Sequence, residues 1–485
     1  MNTPDLLILA PAEPSKVFTD CIRTFVDTGV WFPFENNYAL PRDLPADLSG
    51  FRCIMIDAAR GPEFEAEPAA SRLREFQREG GLVYWPDPKI PCGGVLGDAT
   101  VRHNVLRQIA SAGLTTENPA MLARLQGMDE GALVAECKKA APDEFTQYVR
   151  MGNAFVDPIG MWTLPATVEA ADFFRDPSLA EPAWKHIADH YAQFGSHFDS
   201  HGARYFLRYA ELTGDRRPVE HILKVCSGPN PWPHHWRLDG VFINLDAKAP
   251  EGCNPENPPA RMRSNAWTWP ENALVVGETY PMLARATGNP EFLEIAVRHM
   301  LGSHRWLFDP PTGLYWHLGR PDGPDKRSAP WGRGDSHFLW GLRAVLDQMP
   351  ADHPRRGDLI EMLRLNLEGL LRVQDRHGLW HNVLDASPAD SRSCSSATSQ
   401  FIRIYAGAYH KGWLKDARIP PMIEKAWLGL KTKIWDYRYL GYCVGTSYAL
   451  SRQCYLSRPH DSFRPCRSGI LHAWIEIQRM RAARN

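Results

Sequence analysis

Two short stretches decide the fold: E-L-T-G-D (Glu211–Asp215) and R-A-T-G-N (Arg285–Asn289). Each follows one run of helical periodicity and precedes the next. A Gly just past a periodic run, followed by Asp or Asn, stops one helix and opens the turn to another. Outward from these two points, helical patterns fall at 143–154, 165–174, 181–194, 198–212, 217–226, 271–287, 291–305, 335–348, 356–374, 396–410, 421–434 and 467–482. Convincing strands nearly vanish over the same stretch. A weak repeat of helix pairs predicts a closed ring of hairpins, an α/α toroid. The segment 228–266 interrupts the series. It is rich in Pro, Asn and Trp, shows no periodicity, and is long for a structureless loop, which favours a functional lid or wall.

Residues 1–115 read differently. Short apolar runs at Leu6–Ala10, Cys53–Asp57 and Leu82–Trp85 alternate with helical stretches at Ser15–Asp27, Ala69–Glu79 and Val101–Ala112. Strands alternating with helices predict a small parallel-sheet domain. Its order, ending in F-Q-R-E-G-G-L-V-Y-W, resembles the glutamine-amidotransferase-like modules, but no Cys–His–Glu set makes it active. An accessory or interface role is expected, with this surface the candidate for homodimer contact. The expected organisation is an accessory α/β domain at 1–115, a linker at 116–139 and a catalytic toroid at 140–485.

Composition narrows the function. Of 485 residues, 44% are hydrophobic and 23% charged, which excludes a disordered chain. Lys and Arg total 55 against 56 Asp and Glu, so no global positive charge favours nucleic acid. Apolar runs are far too short to span a membrane. The N-terminus has no basic residue before its apolar run and does not read as a secretory signal. The ten Cys form no C-x-x-C pair and are expected to be free thiols in a cytoplasmic protein. His234–His235 has no partner at ligand spacing, so no metal is expected. The 17 Trp suit either a large helical core or a surface that stacks on sugar rings.

In a toroid of hairpins one rim collects the N-termini of the inner helices. Four clusters precede such starts. H-F-D-S-H-G-A-R-Y (His197–Tyr205) offers Asp199, an N-cap or a functional acid, and His201. N-A-W-T-W-P-E-N (Asn265–Asn272) offers Trp269 and Glu271; the helix dipole alone would favour an acid there. T-G-L-Y-W-H-L-G (Thr312–Gly319) presents His317. P-W-G-R-G-D-S-H-F (Pro330–Phe338) holds Trp331, Arg333, Asp335 and His337. An Arg fork with a Trp face suits a carboxylated sugar, that is a uronate. Trp380 and His381 are further candidates for the pocket lining.

G-L-Y-W-H, W-G-R-G-D, G-L-W-H-N-V-L-D (Gly378–Asp385), C-V-G-T (Cys443–Thr446) and Y-L-S-R-P (Tyr455–Pro459) resemble, in this order, the unsaturated uronyl hydrolases of glycoside hydrolase families 88 and 105. The resemblance covers roughly 150–485. It implies an (α/α)6 barrel that needs no metal or organic cofactor and acts on an acidic oligosaccharide. A carboxylic acid would protonate the C4=C5 enol ether of a terminal unsaturated uronate, and water would add at C5. Glu271 matches the family's proton donor, Asp199 its second Asp and His317 its His. Trp331 and Arg333 match its W-x-R-G, with Arg333 as carboxylate clamp.

The chain departs from the family in two places. Glu replaces Asp at 271, lengthening the acid by about 1.5 Å, the length of one C–C bond. R-G-D-S-H stands where the family has R-G-N-G-W, so Asp335 and His337 replace Asn and Trp. The expected activity is removal of a terminal, 4,5-unsaturated uronic acid, with Glu271 as donor and Asp199 or Asp335 raising its pKa. A glycosidase using two carboxylates on saturated glucuronides or galacturonides is the alternative, and a non-catalytic carbohydrate-binding barrel the third reading.

Overall fold

The computed structural model describes residues 6–9, 34–37, 47–48, 53–56, 68–79, 82–84, 126–150, 160–193, 203–227, 236–245, 266–387, 390–391, 393–431, 434–435, 438–439, 442–443, 451–456, 460–461 and 466–484. The chain divides into two compact units, one of Met1–Met128 with Lys431–Lys433 and one of Asp129–Leu430 with Ile434–Asn485.

In the first unit, β1 (Leu6–Leu9), β2 (Phe34–Asn37), β3 (Cys53–Ile56) and β4 (Leu82–Tyr84) form a parallel sheet of order β2-β1-β3-β4. Helix α1 (Ala69–Arg78) stands between β3 and β4 in the chain and buries Ala69, Ala70, Leu73 and Phe76 along one side. Three of these strands coincide with the apolar runs. β2 reads F-E-N-N and carries no apolar alternation, so pattern alone passes over it. The helical patterns at 15–27 and 101–112 lie outside the described residues.

The second unit is mainly helical. Its helices are α2 (Glu130–Arg150), α3 (Gly160–Phe174), α4 (Glu181–His190), α5 (Ala203–Thr213), α6 (Arg217–Ser227), α7 (Pro270–Thr287), α8 (Glu291–Leu307), α9 (Gly332–Gln348), α10 (Arg356–Val373), α11 (Ser395–His410), α12 (Ile419–Lys431), the short α13 (Arg452–Leu456) and α14 (Cys466–Ala482). Helix α2 begins inside the stretch read as a linker. Packing runs α3–α14–α11–α9–α7–α5. Side chains close the ring from α5 back to α3, through Arg204–Glu169 at 2.8 Å and Arg208–Asp172 at 3.0 Å. These six are the inner helices. The difference from the outer layer follows from burial: α9 buries every residue from Gly332 to Leu346, whereas α10 buries one stripe, Leu359, Met362, Leu363, Asn366, Leu367 and Leu370. Among the described residues no helix is long and apolar enough to cross a membrane.

Helix boundaries follow their local chemistry. Pro270 starts α7 after the extended Trp269, and Gly288 ends it at φ 72°, a left-handed conformation that an L side chain resists. α7 and α9 cross at Gly277 and Gly341. A Cβ at Gly277 would lie 2.3 Å from the Gly341 carbonyl oxygen, and one at Gly341 2.1 Å from that of Ala273. Only glycine at both positions permits this approach, and it draws the first turns of the two helices together.

The segment 228–266 is not structureless throughout. β5 (Trp236–Leu238) and β6 (Val241–Leu245) form an antiparallel hairpin, and β7 (Ala266–Trp267) pairs with β6. Asp239 and Gly240 turn it at φ 52° and 83°, and Asp-Gly is the favoured pair for such tight hairpins. That dipeptide is the signal the periodicity search missed.

Candidate active site

Two elements bring the site together at the starts of α7 and α9. Glu271 is in the first turn of α7, where the N-terminal dipole favours a carboxylate. His337 is in the second turn of α9. His317 follows the strand β9 (Leu314–Tyr315), which pairs with β8 (Phe308–Asp309). Its backbone N–H donates to the Ala329 carbonyl at 2.9 Å, and the N–H of Trp331 uses the same carbonyl at 2.8 Å. Gly332 N–H and Leu384 N–H tie the start of α9 to the 382–384 loop. A Cβ at Gly334 would stand 2.9 Å from the Trp331 ring and 3.2 Å from His317, so glycine there lets the indole and imidazole meet.

The centre is one carboxylate oxygen held by two imidazoles. Oε1 of Glu271 is 3.3 Å from Nε2 of His317 and 3.3 Å from Nδ1 of His337. Nδ1 of His317 pairs with the Tyr455 hydroxyl at 2.7 Å. The Glu271 side chain keeps 18% of its surface open, while both imidazoles are buried. Its other oxygen, Oε2, has no hydrogen-bond partner among the described residues. Burial pushes the carboxyl up, but the charge and hydrogen bond of His317, with those of His337, outweigh it and hold Glu271 well below the ordinary carboxylate range. This corrects the expectation of a raised Glu271: its surroundings favour the anion.

Aromatic rings wall the cluster. Trp331 meets His317 edge to face at 4.6 Å and His337 at 6.1 Å, and Trp269 stacks on His317 at 6.1 Å. The Arg333 guanidinium lies 4.8 Å from the Trp331 ring, and its charge acts on His337. Trp331 Nε1 donates to Asn382, whose amide donates to the Tyr455 carbonyl at 2.7 Å. Trp269 Nε1 donates to Asn272 at 2.8 Å. Tyr455 is a contact the sequence reading missed as a site residue. Its Y-L-S-R-P motif carried the signal, but only tertiary packing puts residue 455 against residue 317.

Three candidates stand elsewhere. Asp335 turns away from Glu271 into the wall between α9 and α10: Oδ2 accepts from Tyr315 N–H at 2.8 Å and from Asn366 at 3.1 Å. Burial, against those two hydrogen bonds, raises its carboxyl to about 8. Helical geometry explains this, because residues 335 and 337 are two apart and cannot share a face. Trp380 is fully buried, its Nε1 donating to the Leu370 carbonyl and its ring edge-on to Phe401. His381 spans the Ser391 carbonyl at 2.5 Å and Asp375 at 2.9 Å, which uses both nitrogens as loop braces. Asp199 and His201 lie outside the described residues. Among the described residues no group of three or more His, Cys, Asp or Glu is arranged to hold a metal ion.

Beneath the site the inner helices meet in a second charged network. Glu169 Oε1 accepts from Arg204 at 2.8 Å and Arg403 at 2.6 Å, and Oε2 is 2.9 Å from His472. Glu476 pairs with Arg343 at 2.7 Å and His410 at 2.9 Å. Six inner helices are thereby cross-linked: α3, α5, α11 and α14 directly, α9 through Arg343, and α7 through Glu278, which accepts from Trp340 at 2.7 Å.

Residues 251–481 match the sequence profile of Glycosyl Hydrolase Family 88. The chain is 24% identical over 174 residues to an unsaturated 3S-rhamnoglycuronyl hydrolase of Alteromonas sp. (strain LOR), covering 35% of this chain and 42% of that protein. It is 28% identical over 118 residues to an unsaturated rhamnogalacturonyl hydrolase of Bacillus subtilis, covering 24% and 34%. The matches thus span less than half the length of these curated relatives. Among solved structures, a family 105 glycoside hydrolase of C. acetobutylicum superposes with a TM-score of 0.56 at 16% identity, covering 70% of this chain and 99% of that one. A family 88 glycosyl hydrolase from Bacteroides vulgatus superposes at 0.51 and 16% identity, covering 72% and 99%. These likenesses establish the α/α-barrel fold. Residues 251–481 thus resemble Glycosyl Hydrolase Family 88, and the chain is similar to unsaturated uronyl hydrolases.

Proposed function

We propose that the chain removes a terminal 4,5-unsaturated uronic acid from acidic oligosaccharides by hydrating the enol ether. The observation that carries this reading is the Glu271 carboxyl, on a side chain with 18% of its surface open, gripped through one oxygen by two imidazoles. Arg333 and Trp331 stand beside it, chemistry suited to the carboxylate and ring face of a uronate.

Glu271 and His337 titrate as a coupled pair, the imidazole lowering the carboxyl and the carboxylate raising the imidazole against its burial. The facing imidazoles favour the Glu271 anion. A uronate carboxylate entering beside it adds negative charge, which favours protonation of Glu271. The protonated carboxyl then donates to C4 of the double bond. Water forms a bond to C5 and returns its proton to the carboxylate. The C5 hemiketal opens by breaking its bond to the ring oxygen, and the hemiacetal left at C1 expels the aglycone as an alcohol. No net proton is consumed. Arg333 holds the substrate carboxylate, and Asp199 orients the water or a sugar hydroxyl. Rhamnose-linked uronates are the aglycone class to try first, from the names of the curated relatives. The N-terminal α/β unit is inferred to be an accessory module.

Unsaturated uronates absorb in the ultraviolet and hydration abolishes the absorbance. Loss of absorbance on a panel of lyase-generated oligosaccharides, absent in Glu271→Gln, is the expected result. Release of sugar from saturated uronides with no absorbance change on the panel overturns the reading.

A further inference from the structure

We propose that His337 is a positioning residue for Glu271, fixing the carboxyl through Nδ1 and setting its affinity for a proton. The proposal rests on the hydration reading and deepens it: the resemblance places a tryptophan at this position, and a tryptophan ring nitrogen cannot occupy the place of an imidazole Nδ1.

The hydrogen bonds of three other histidines show what a structural one does here. His381 bonds at both ring nitrogens to a loop carbonyl and to Asp375. His299 accepts from the Phe242 N–H and meets Ser303. His304 pairs with the Tyr315 hydroxyl. Each ties one piece of scaffold to another. His337 does not: Nδ1 meets Glu271, and Nε2 is buried with no hydrogen-bond partner among the described residues. An imidazole buried with one nitrogen unsatisfied costs stability. The scaffold gains no compensating hydrogen bond from it; Glu271 does.

The backbone supports the same role. The glycine crossing of α7 and α9 lies six residues beyond Glu271 and four beyond His337, so the turns that carry them are held at fixed spacing. His317 approaches the same oxygen from the loop after β9, and Trp331 packs against both rings. The carboxyl is thereby held from two sides, leaving Oε2 unclaimed.

Other ionisable groups around α7 have different partners. From α9, Arg333 faces His337. From α8, His299 bonds to Phe242. From α5, Arg204 and Tyr205 reach Glu169 and Glu278, lower in the barrel. From α6, Cys226 meets Tyr280, while Arg217, Glu220 and Lys224 are exposed and His221 sits against Tyr191. From α13, Tyr455 acts through His317. His337 and His317 are therefore the two groups bonded to the Glu271 carboxyl among the described residues.

The test compares His337→Phe, which removes the donor, with His337→Asn, whose amide N–H takes the place of Nδ1–H. His337→Phe is expected to lose about 100-fold in kcat, the scale of a 1 Å misplacement, with KM changed less than about threefold. His337→Asn is expected to recover most of that loss. The Glu271 carboxyl, followed by carbon NMR in the intact chain, should titrate at higher pH in His337→Phe than in the wild type. Thermal unfolding shows whether each variant folds. Unchanged kcat in His337→Phe, equal losses in both variants, or a Glu271 titration that ignores the substitution overturns the proposal. If the wild type is silent on unsaturated uronates, the hydration reading falls, and the NMR titration still decides the role of His337.

Discussion

Glu271 and Asp335 are both carboxylates near the starts of adjacent inner helices, and they live in opposite environments. Glu271 sits at the mouth of the barrel, partly open, accepting from two imidazoles and pushed toward the anion. Asp335 sits in the wall, fully buried, accepting from an amide and a backbone N–H and pushed toward the neutral acid. Both are acidic residues in the first turn of an inner helix. Burial pushes both carboxyls up; the imidazoles facing Glu271 outweigh it, and the two hydrogen bonds to Asp335 do not. A perturbed carboxyl is thus a functional candidate only when its geometry opens toward a ligand. By that measure the two-carboxylate glycosidase reading loses its Asp335, and Glu271 remains.

The contrast can be broken most decisively at Glu271. Glu271→Gln keeps the shape and removes the titrating group, and should lower kcat by about 10³-fold, within the range for a general acid–base group. The absorbance assay reads it, and activity within tenfold of wild type would end the assignment. Arg333→Lys comes next. It keeps the charge and loses the planar fork, and should lower kcat/KM by about 10–100-fold, mostly through KM, since charge-assisted pairs contribute about 1.5–3 kcal/mol. A loss confined to kcat would separate Arg333 from substrate binding.

Tyr455→Phe removes the hydroxyl from Nδ1 of His317 and leaves the ring. A loss of about 3–10-fold in kcat is expected, the scale of one hydrogen bond of about 1 kcal/mol. No change would show that His317 is oriented by its backbone alone. The smallest effect on rate is expected at Asp335→Asn, whose kcat should stay within about twofold at pH 6. A loss like that of Glu271→Gln would erase the contrast between mouth and wall.

Asp335→Asn should instead change the pH dependence of stability. Folded Asp335 holds its proton to about pH 8, while the unfolded chain releases it near a pKa of about 3.9. Between these values the folded state binds the extra proton, so this group's contribution weakens as pH rises from about 4 to about 8. Asn does not titrate. The difference in Tm between variant and wild type should therefore be more favourable to the variant at pH 8.5 than at pH 5. Equal differences at both pH values would place Asp335 in a less confined environment than the wall provides.

Much of the architecture was legible without coordinates. The T-G-D and T-G-N stops mark real helix ends, and the helical patterns over the described residues agree with the observed elements to within a few residues at most boundaries; α2 is the exception, starting at Glu130. Periodicity and capping act within one turn of chain, so they are written locally. The β5–β6 hairpin was equally local and was missed because only its Asp239–Gly240 turn announces it.

The site was half legible. Glu271, His317, Trp331, Arg333 and His337 are each flagged by residue type and place before or in a helix start, and the structure gathers them. The sequence by itself determined that acids, imidazoles and indoles stand at the rim. Tertiary structure decided which of them meet. The glycine crossing of α7 and α9 sets Glu271 beside His337, residue 455 reaches residue 317 across the chain, and two residues of helical rotation send Asp335 into the wall. Protonation was decided there too, because a carboxyl's pKa is set by burial and by the charges and donors facing it, and those come from elements distant in sequence.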